Sequence, residues 1–526
     1  MSAQRSPAEL RDAVSRRPIL IALMVTIGIA ALDNTIVSTA IPSIVRGLGG
    51  FSEFPWVFSI YLLTQAVTVP IYGRLADIFG RRPVLFVGIG IFLLGSALSG
   101  AAWSMPTLIV FRGLQGIGAG AVQPVAMTIV GDLYTVEERG RIQGYLSGVW
   151  GVAAVVGPAL GGTLSQYASW RWIFYLNLPV GAIAAVMLAR HLHEQVVRQT
   201  HRIDYAGAIA LMGGMTLLIL GLLQGDVHWA WTSPAELVVL SAAFALIVAF
   251  VEIERRASEP FMPPWLFKWR TLVAGNLAGL AIGALLIGLT SYVPTFAQGV
   301  VGVGPVLAGF ALAGESVTWV LGSVVSGRLY GHTGFRFTAL IGSCICLSGA
   351  IAFAFLRSSV SLGLIAVAGS IVGLGFGFVA TSVIVAVQST VGWDRRGVVT
   401  GANMFGRTIG GALGVAVFGS IANSSLVGWL RNPPVAIAAH LPHGANAAAL
   451  ILGGSSAIHD HAASSFVRQG LFLAVHHVFL AFVVIAIALA TTVAAIPRRV
   501  VAISFEPSVA AKDPVPTNPP AAKQLK

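Results

Sequence analysis

Apolar residues run through this chain in long unbroken stretches separated by short polar joints. Fourteen stretches reach the ~20 residues that a helix needs to cross a bilayer. They cover 18–41, 56–72, 83–103, 107–130, 142–164, 172–190, 205–223, 235–251, 271–297, 305–326, 337–356, 360–387, 398–422 and 470–496. Each is continuously apolar and lacks the alternation of a barrel strand, so helices are predicted. Composition agrees: 56% of the 526 residues are hydrophobic, 10% are charged, and the mean hydropathy is +0.83. A water-soluble domain of this length could not hide so much apolar surface. The expected fold class is an all-α membrane protein.

The polar joints divide the spans. A polar tail, 1–17, precedes six spans over 18–190; a linker region, 191–270, carries two more; six further spans occupy 271–496. An outer segment is expected over 423–469, and the Pro/Ala-rich tail 497–526 is expected to be disordered. Two joints recur. GRLADIFGRR at Gly73–Arg82 returns as GRLYGHTGFR at Gly327–Arg336, with Gly73, Arg74, Leu75, Gly80 and Arg82 matched 254 residues later. TVEERGRIQG at Thr135–Gly144 is paired with GWDRRGVVTG at Gly392–Gly401, where Glu137, Arg139, Gly140 and Gly144 match at 257. A joint that returns in the same slot of a second six-span set implies a duplicated bundle, a common plan for secondary transporters. The pair 205–251 has no counterpart and reads as inserted between two six-helix halves.

Charge sharpens this picture. The chain carries a net charge of +12. Of its 32 Lys and Arg, 25 fall on the side of the N-terminus, five on the other, and Arg112 and Arg407 lie within spans. That asymmetry places both termini in the cytoplasm of a multi-pass inner-membrane protein. The basic excess therefore meets anionic lipid headgroups, and no nucleic-acid partner is expected. Residues 1–17 have no signal-peptide core. Cys344 and Cys346 sit two apart on one predicted helix and face different ways, so they form no normal disulfide. His440, His443, His459 and His461 lack tight ligand spacing, and no metal site is expected. No GxxxxGK[ST] stretch is present, so nucleotide hydrolysis does not drive this chain by itself.

Acids within spans are scarce. Of the twenty Asp and Glu, Asp33 and Glu315 lie well inside the hydrocarbon, where an ionisable group is costly and a functional candidate by default. Asp33 stands in ALDNTIVSTAIP beside Asn34 and Thr35. Such a group can alternate between holding a proton and facing a cation; a helix-packing aspartate is the plain alternative. Glu315, in LAGESVTW, admits the same two roles on burial alone. Arg112 opens RGLQGIGAG. By helical rise it lies ~8 Å below the outer surface and Asp33 ~12 Å below it, so the two can pair. Gln115 is one turn deeper on nearly the same face. Arg407 is a weaker candidate whose long side chain can snorkel. In GYLSGVWGVAAVVGPALGG, Gly157 and Gly161 are four apart and flank Pro158, a pattern that lets helices approach and one ladder bend. In the joint Gly73–Arg82, Gly73 permits close approach, and Asp77 can sit among Arg74, Arg81 and Arg82 beyond Gly80, as a cytoplasmic latch or as a charged turn that obeys topology.

Together these motifs resemble the major facilitator superfamily, and within it the fourteen-span drug:proton antiporter branch. GRLADIFGRR looks like the superfamily's cytoplasmic loop motif, LDNTIVSTAIP like the branch's first-span motif, RGLQGIGAGAV like its fourth-span arginine motif, and GVWGVAAVVGPALGG like its fifth-span antiporter motif. SWRWIFYLNLPVG is similar to its sixth-span opening. The likeness covers most of 18–500. It implies Asp33 in proton coupling and cation handling, Arg112 in proton relay, Asp77 in gating, and Gly157 with Pro158 as a hinge. The second joint departs from the pattern, since Gly331 stands where the acid would be.

The expectation is therefore a non-enzymatic, proton-coupled exporter of amphipathic organic compounds working by alternating access. It needs no cofactor beyond the proton gradient. Its partners are a small organic substrate, protons and membrane lipid; a monomer is expected, with room for a periplasmic adaptor. The rival on the same fold is a dedicated exporter or importer of one metabolite, such as a sugar, siderophore or self-made antibiotic.

Overall fold

The computed structural model describes residues 16–134, 136–192, 204–224, 230–257, 260, 262–391, 396–431, 433–434 and 461–498. Fourteen helices in it are long and apolar enough to cross a membrane. In chain order they are α1 (Arg16–Leu48), α2 (Phe54–Phe79), α3 (Arg81–Gly100), α4 (Met105–Leu133), α5 (Val136–Tyr167), α6 (Asn177–His191, preceded by the single turn Trp172–Tyr175), α7 (Tyr205–Gln224), α8 (Pro234–Arg256), α9 (Arg270–Phe296), α10 (Pro305–Thr333), α11 (Phe335–Ala354), α12 (Leu362–Ser389), α13 (Arg396–Leu430) and α14 (His461–Ala494). With fourteen crossings, successive helices alternate in direction. The start of α1, the α2–α3 joint and the α10–α11 joint then share one face, called here the near face; the α1–α2 turn lies on the far face.

The recurring polar joints are tighter than loops. Gly73–Phe79 is the end of α2, Gly80 alone turns the chain, and Arg81 begins α3. Gly80 does so at φ +95°, and Gly334 does the same at φ +83° between α10 and α11, a conformation that a side chain makes costly. Arg82 then fastens the turn, its Nη2 donating to the Ala189 carbonyl near the end of α6 at 3.0 Å. The side chains of Arg74 and Asp77 lie outside the described residues, as do those of Glu137, Arg139, Asp394 and Arg396. The segments expected as second joints are themselves helical from Val136 and from Arg396. The outer segment expected over 423–469 is also shorter than its polarity implied, since α13 runs on to Leu430 and α14 starts at His461. His440, His443 and His459 lie outside the described residues.

Within each bundle, helices cross at glycines. At Gly283 of α9 a Cβ would strike the Arg407 carbonyl of α13, so the two backbones touch there. The inserted pair packs as a hairpin: Ala208, Leu211, Ile219 and Leu223 of α7 join Trp56, Leu63 and Val67 of α2 and Ile409 and Ala416 of α13 in one apolar cluster. The pair therefore leans on both halves at once.

The halves meet unevenly. Far-face residues of α1 and α2, including Ile41, Val45, Phe54 and Phe58, share a continuous core with α9 to α14. The near part of the first bundle has a core of its own, from Ile19 to Leu192, with no member from the second bundle among the described residues. Polar contacts follow the same division. Ser59 Oγ donates to the Ala412 carbonyl at 2.9 Å, Asn423 Nδ2 to the Ser52 carbonyl at 3.0 Å, and Gln298 Nε2 to the Thr39 carbonyl at 3.2 Å. Toward the near face, Gly148 of α5 and Gly401 of α13 are exposed and border open space. The bundles are thus joined on the far side and parted on the near side.

The crossing at Gly283 yields a test. Gly283→Val should destabilise the bundle by about 1–3 kcal/mol, the usual cost of overpacking, seen as a lower unfolding temperature in detergent. Gly327→Ala, where an added Cβ meets nothing within 4 Å, should leave that temperature unchanged.

Candidate functional site

A buried polar network lies inside the first bundle, built from α1, α2, α3, α4 and α6. Asp33, Arg112 and Gln115 have no exposed surface. Arg112 Nη1 donates to Asp33 Oδ2 at 2.5 Å and to Gln115 Oε1 at 2.8 Å, and its Nε donates to the Val57 carbonyl of α2 at 3.3 Å. Gln115 Nε2 returns a bond to Asp33 Oδ1 at 2.8 Å. Asn177 Nδ2 donates to the same oxygen at 3.1 Å and to Ser96 Oγ at 2.9 Å. The Arg112 guanidinium lies over the Tyr61 ring, 4.0 Å from its centroid, with Phe174 at 5.9 Å.

Local sequence explains why these groups converge. Helix α4 begins at a capping box in which Ser104 Oγ accepts from the Thr107 backbone N–H and Thr107 Oγ1 accepts from that of Ser104. That start sets the depth of Arg112. Helix α6 follows the turn Trp172–Tyr175 through Leu176, whose backbone is itself helical at φ −56° and ψ −33°, and Asn177 on it is buried. On α1, Thr35 Oγ1 donates to the Ala153 carbonyl of α5 at 2.9 Å and Thr39 Oγ1 to that of Pro158 at 3.2 Å. Gly157 and Gly161 admit α1 close against α5, and these contacts fix the rotation of α1 that points Asp33 into the bundle.

The structure brings Asp33, Arg112 and Gln115 together as their depths allowed. Asn177, Ser96 and Tyr61 were not among the sequence candidates. Asn177 had a signal, as a lone amide in an apolar run two residues before Pro179; Ser96 and Tyr61 had none. Glu315 belongs elsewhere. It is 3% exposed inside the second bundle, where Oε1 has no hydrogen-bond partner. Arg407 is half-buried on α13 and engages no acid in an ion pair among the described residues. Gly157 and Pro158 lie within an unbroken α5, and Pro158 packs against Gly309 of α10, across the seam between the halves.

Chemically, the network is a neutral pair that one proton can undo. Protonating Asp33 removes the anion, yet Arg112 keeps the Tyr61 face, the Val57 carbonyl and Gln115. A desolvated guanidinium needs such substitutes.

Comparison with known proteins follows this geometry. Residues 23–415 match the model of the Major Facilitator Superfamily. The chain belongs to the major facilitator superfamily. It is 37% identical over 441 residues to the Bacillus subtilis multidrug transporter protein MdtP, covering 84% of this chain and 82% of that one. Multidrug resistance protein 3 of the same organism is 34% identical, with 80% and 82% covered. A transporter of the acurin A biosynthesis cluster in Aspergillus aculeatus is 31% identical, with 79% and 77% covered. Among solved structures, a bacterial homolog of the human lysosomal transporter Spinster aligns with a TM-score of 0.65 at 18% identity, over 91% of this chain and 97% of that one. At that identity the likeness speaks for the fold. The protein is a multi-pass membrane transporter and not an enzyme.

Removing one partner of the network should cost more than neutralising it. Arg112→Ala strands a buried carboxylate and should destabilise the bundle by ~3–5 kcal/mol; Asp33→Asn keeps an amide in the hydrogen-bonded cluster and should cost less. Thermal unfolding of both variants in detergent checks the order, and equal losses would remove the pair from its organising role.

Proposed function

We propose that this transporter exports amphipathic organic compounds across the inner membrane in exchange for protons. The observation that carries the reading is the sealed Asp33–Arg112 pair within a superfamily member whose relatives are named as multidrug transporters. In the sequence, 25 of the 32 basic residues fall on the N-terminal side of the spans, and the near face is therefore assigned to the cytoplasm with both termini. The conformation described above is then open toward the cytoplasm and closed outside.

Cargo enters the space between the bundles from the cytoplasm. Asp33 is fully enclosed, so cargo does not touch it in this state, and coupling runs through the pair rather than through direct contact. In the alternate state a proton from outside neutralises Asp33 and releases its hold on Arg112. Return to the inward-open state expels the proton and reforms the pair. A charge moving through 100 mV supplies ~2.3 kcal/mol, enough for a gradient of roughly fifty-fold. The seam that must slide is α5 against α10, where Gly162 meets Pro305 and Val306 and Gly309 meets Pro158. Small residues leave no knobs to lock it. Asp77 and the joint around it serve as the latch on the cytoplasmic side. A single-metabolite exporter on the same fold is the second reading, favoured by the relative whose name ties it to one biosynthetic cluster. A dye and biocide panel separates the two.

In liposomes with an imposed pH gradient, Asp33→Asn should abolish gradient-driven transport of every substrate while leaving passive binding measurable. Full coupled transport by the variant would sink the role given to Asp33. In a Cys344→Ser background, cysteines placed at Gly148 or Gly401 should react rapidly with a water-soluble maleimide from the cytoplasmic side, and one at Gly309 should not. Asp77→Asn should shift that balance; an unchanged labelling pattern would remove the latch.

A further inference from the structure

The two bundles repeat one another in their contacts, and the repeat fails at one place. Helices α2 and α3 map onto α10 and α11 at an offset of 254, and α4 maps onto α12 at 257. The packing follows this register. A Cβ on Gly116 would meet Thr64 Oγ1 and the Tyr61 carbonyl, and one on Gly373 would meet Thr318 Oγ1 and the Glu315 carbonyl. Gly118 faces the Phe92 backbone N and Gly88 carbonyl, and Gly375 faces those of Cys346 and Gly342. Gly95 lies on the Gln115 backbone N, and Gly349 on that of Val372.

In this register Glu315 takes the place of Tyr61, Gly369 that of Arg112 and Val372 that of Gln115. The second bundle has therefore lost the guanidinium and the amide, and it has gained an acid where the first bundle has the ring that carries the guanidinium. A Cβ on Gly369 would come no nearer than 3.7 Å to any neighbour, with Glu315 Cβ at 3.8 Å and Phe353 Cζ at 3.9 Å. The surroundings are apolar: Phe353 and Cys346 are fully buried. Among the described residues no ion pair reaches Glu315, whose Oε1 has no hydrogen-bond partner, and the Cys346 thiol of α11 is its titratable neighbour. From α12, Gly369, Ser370 and Gly373 face this stretch of α10, and Ser370 Oγ is occupied by the Ala366 carbonyl. An uncompensated carboxylate here would be costly, and at 3% exposure the carboxyl is closed to bulk water in this state.

We propose that Glu315 is a second proton carrier, held by the other half of the transporter and without an arginine partner. It takes its proton from outer-side water and gives it up to cytoplasmic water as α10 moves against α5; no bond other than O–H forms or breaks. The idea rests on the proton-coupled exchange proposed above. It adds that each bundle contributes one carboxyl, so that more than one proton moves per cargo.

The test uses the full chain in liposomes with an internal pH-sensitive dye and ethidium as the cargo probe, and it reads protons moved per ethidium. Glu315→Gln should lower the ratio by about half, the loss of one of two carriers, with transport retained. An unchanged ratio overturns the second carrier and leaves the exchange reading intact. No proton movement in the wild type overturns the exchange itself. Infrared spectra decide the matter should Glu315→Gln fail to fold. Gly369→Arg places a guanidinium where the register puts that of Arg112, and should convert a protonated-carboxyl band of the wild type into a carboxylate band. A band that persists in Gly369→Arg, or that is absent from the wild type, overturns the proposal.

Discussion

The first bundle is organised around a charge pair that neither water nor lipid can touch. Taking a carboxylate and a guanidinium out of water costs several kcal/mol for each ion, repaid only when geometry and added hydrogen bonds are good. Asp33 accepts from Arg112, Gln115 and Asn177, and Arg112 also engages Val57 and the face of Tyr61, with its Nη2 left without a hydrogen-bond partner. With Asp33 on α1 and Ser96 of α3 accepting from Asn177, the network spans five helices. The network therefore constrains the register of most of the bundle, and a change in charge at one oxygen is felt on all five.

The same physics explains why the halves differ. A duplicated bundle begins with equivalent sites, but two sealed ion pairs would double the desolvation cost. The second bundle keeps the glycine crossings of the first while its core fills with rings, Phe353, Phe479, Phe482 and Phe418 packing edge to tilted face. Glu315 is left among apolar neighbours. One half thus holds a compensated charge and the other an uncompensated acid, an asymmetry that suits stepwise loading better than simultaneous loading.

The seam between the halves joins an apolar core to a few polar contacts. On the far side α1 and α2 share buried residues with the second bundle, and a small-residue crossing lies between α5 and α10. Hydrogen bonds there run from the Ser59, Asn423 and Gln298 side chains to backbone carbonyls and from the Val306 N–H to Gln166 Oε1, each worth about a kcal/mol. Of the inserted helices, α7 leans on α2 and α13 from outside the twelve-helix body and α8 packs on α7, so α7 spans the line between the halves.

The amino-acid order by itself determined that fourteen helices cross a membrane, because hydrocarbon leaves backbone polar groups no other solution. It also marked the duplication, through joints whose glycines cannot be replaced at positive φ. Asp33 and Arg112 were legible because acids and arginines are so costly in hydrocarbon that their presence is a statement, and helical rise put them at one depth. Tertiary structure alone decided the rest. Tyr61 and Ser96 look like ordinary span residues until packing sets them around Asp33. Glu315 resembled Asp33 as a buried acid, and its span already put it in the second half, yet only folding set it beside Gly369. The polar joints at Gly73, Thr135 and Gly392 read as loops, but helix-forming residues beyond the bilayer carried the helices through most of them. Which face of the seam is closed depends on small differences between packed surfaces, summed over helices far apart in sequence, and no local pattern encodes such a sum.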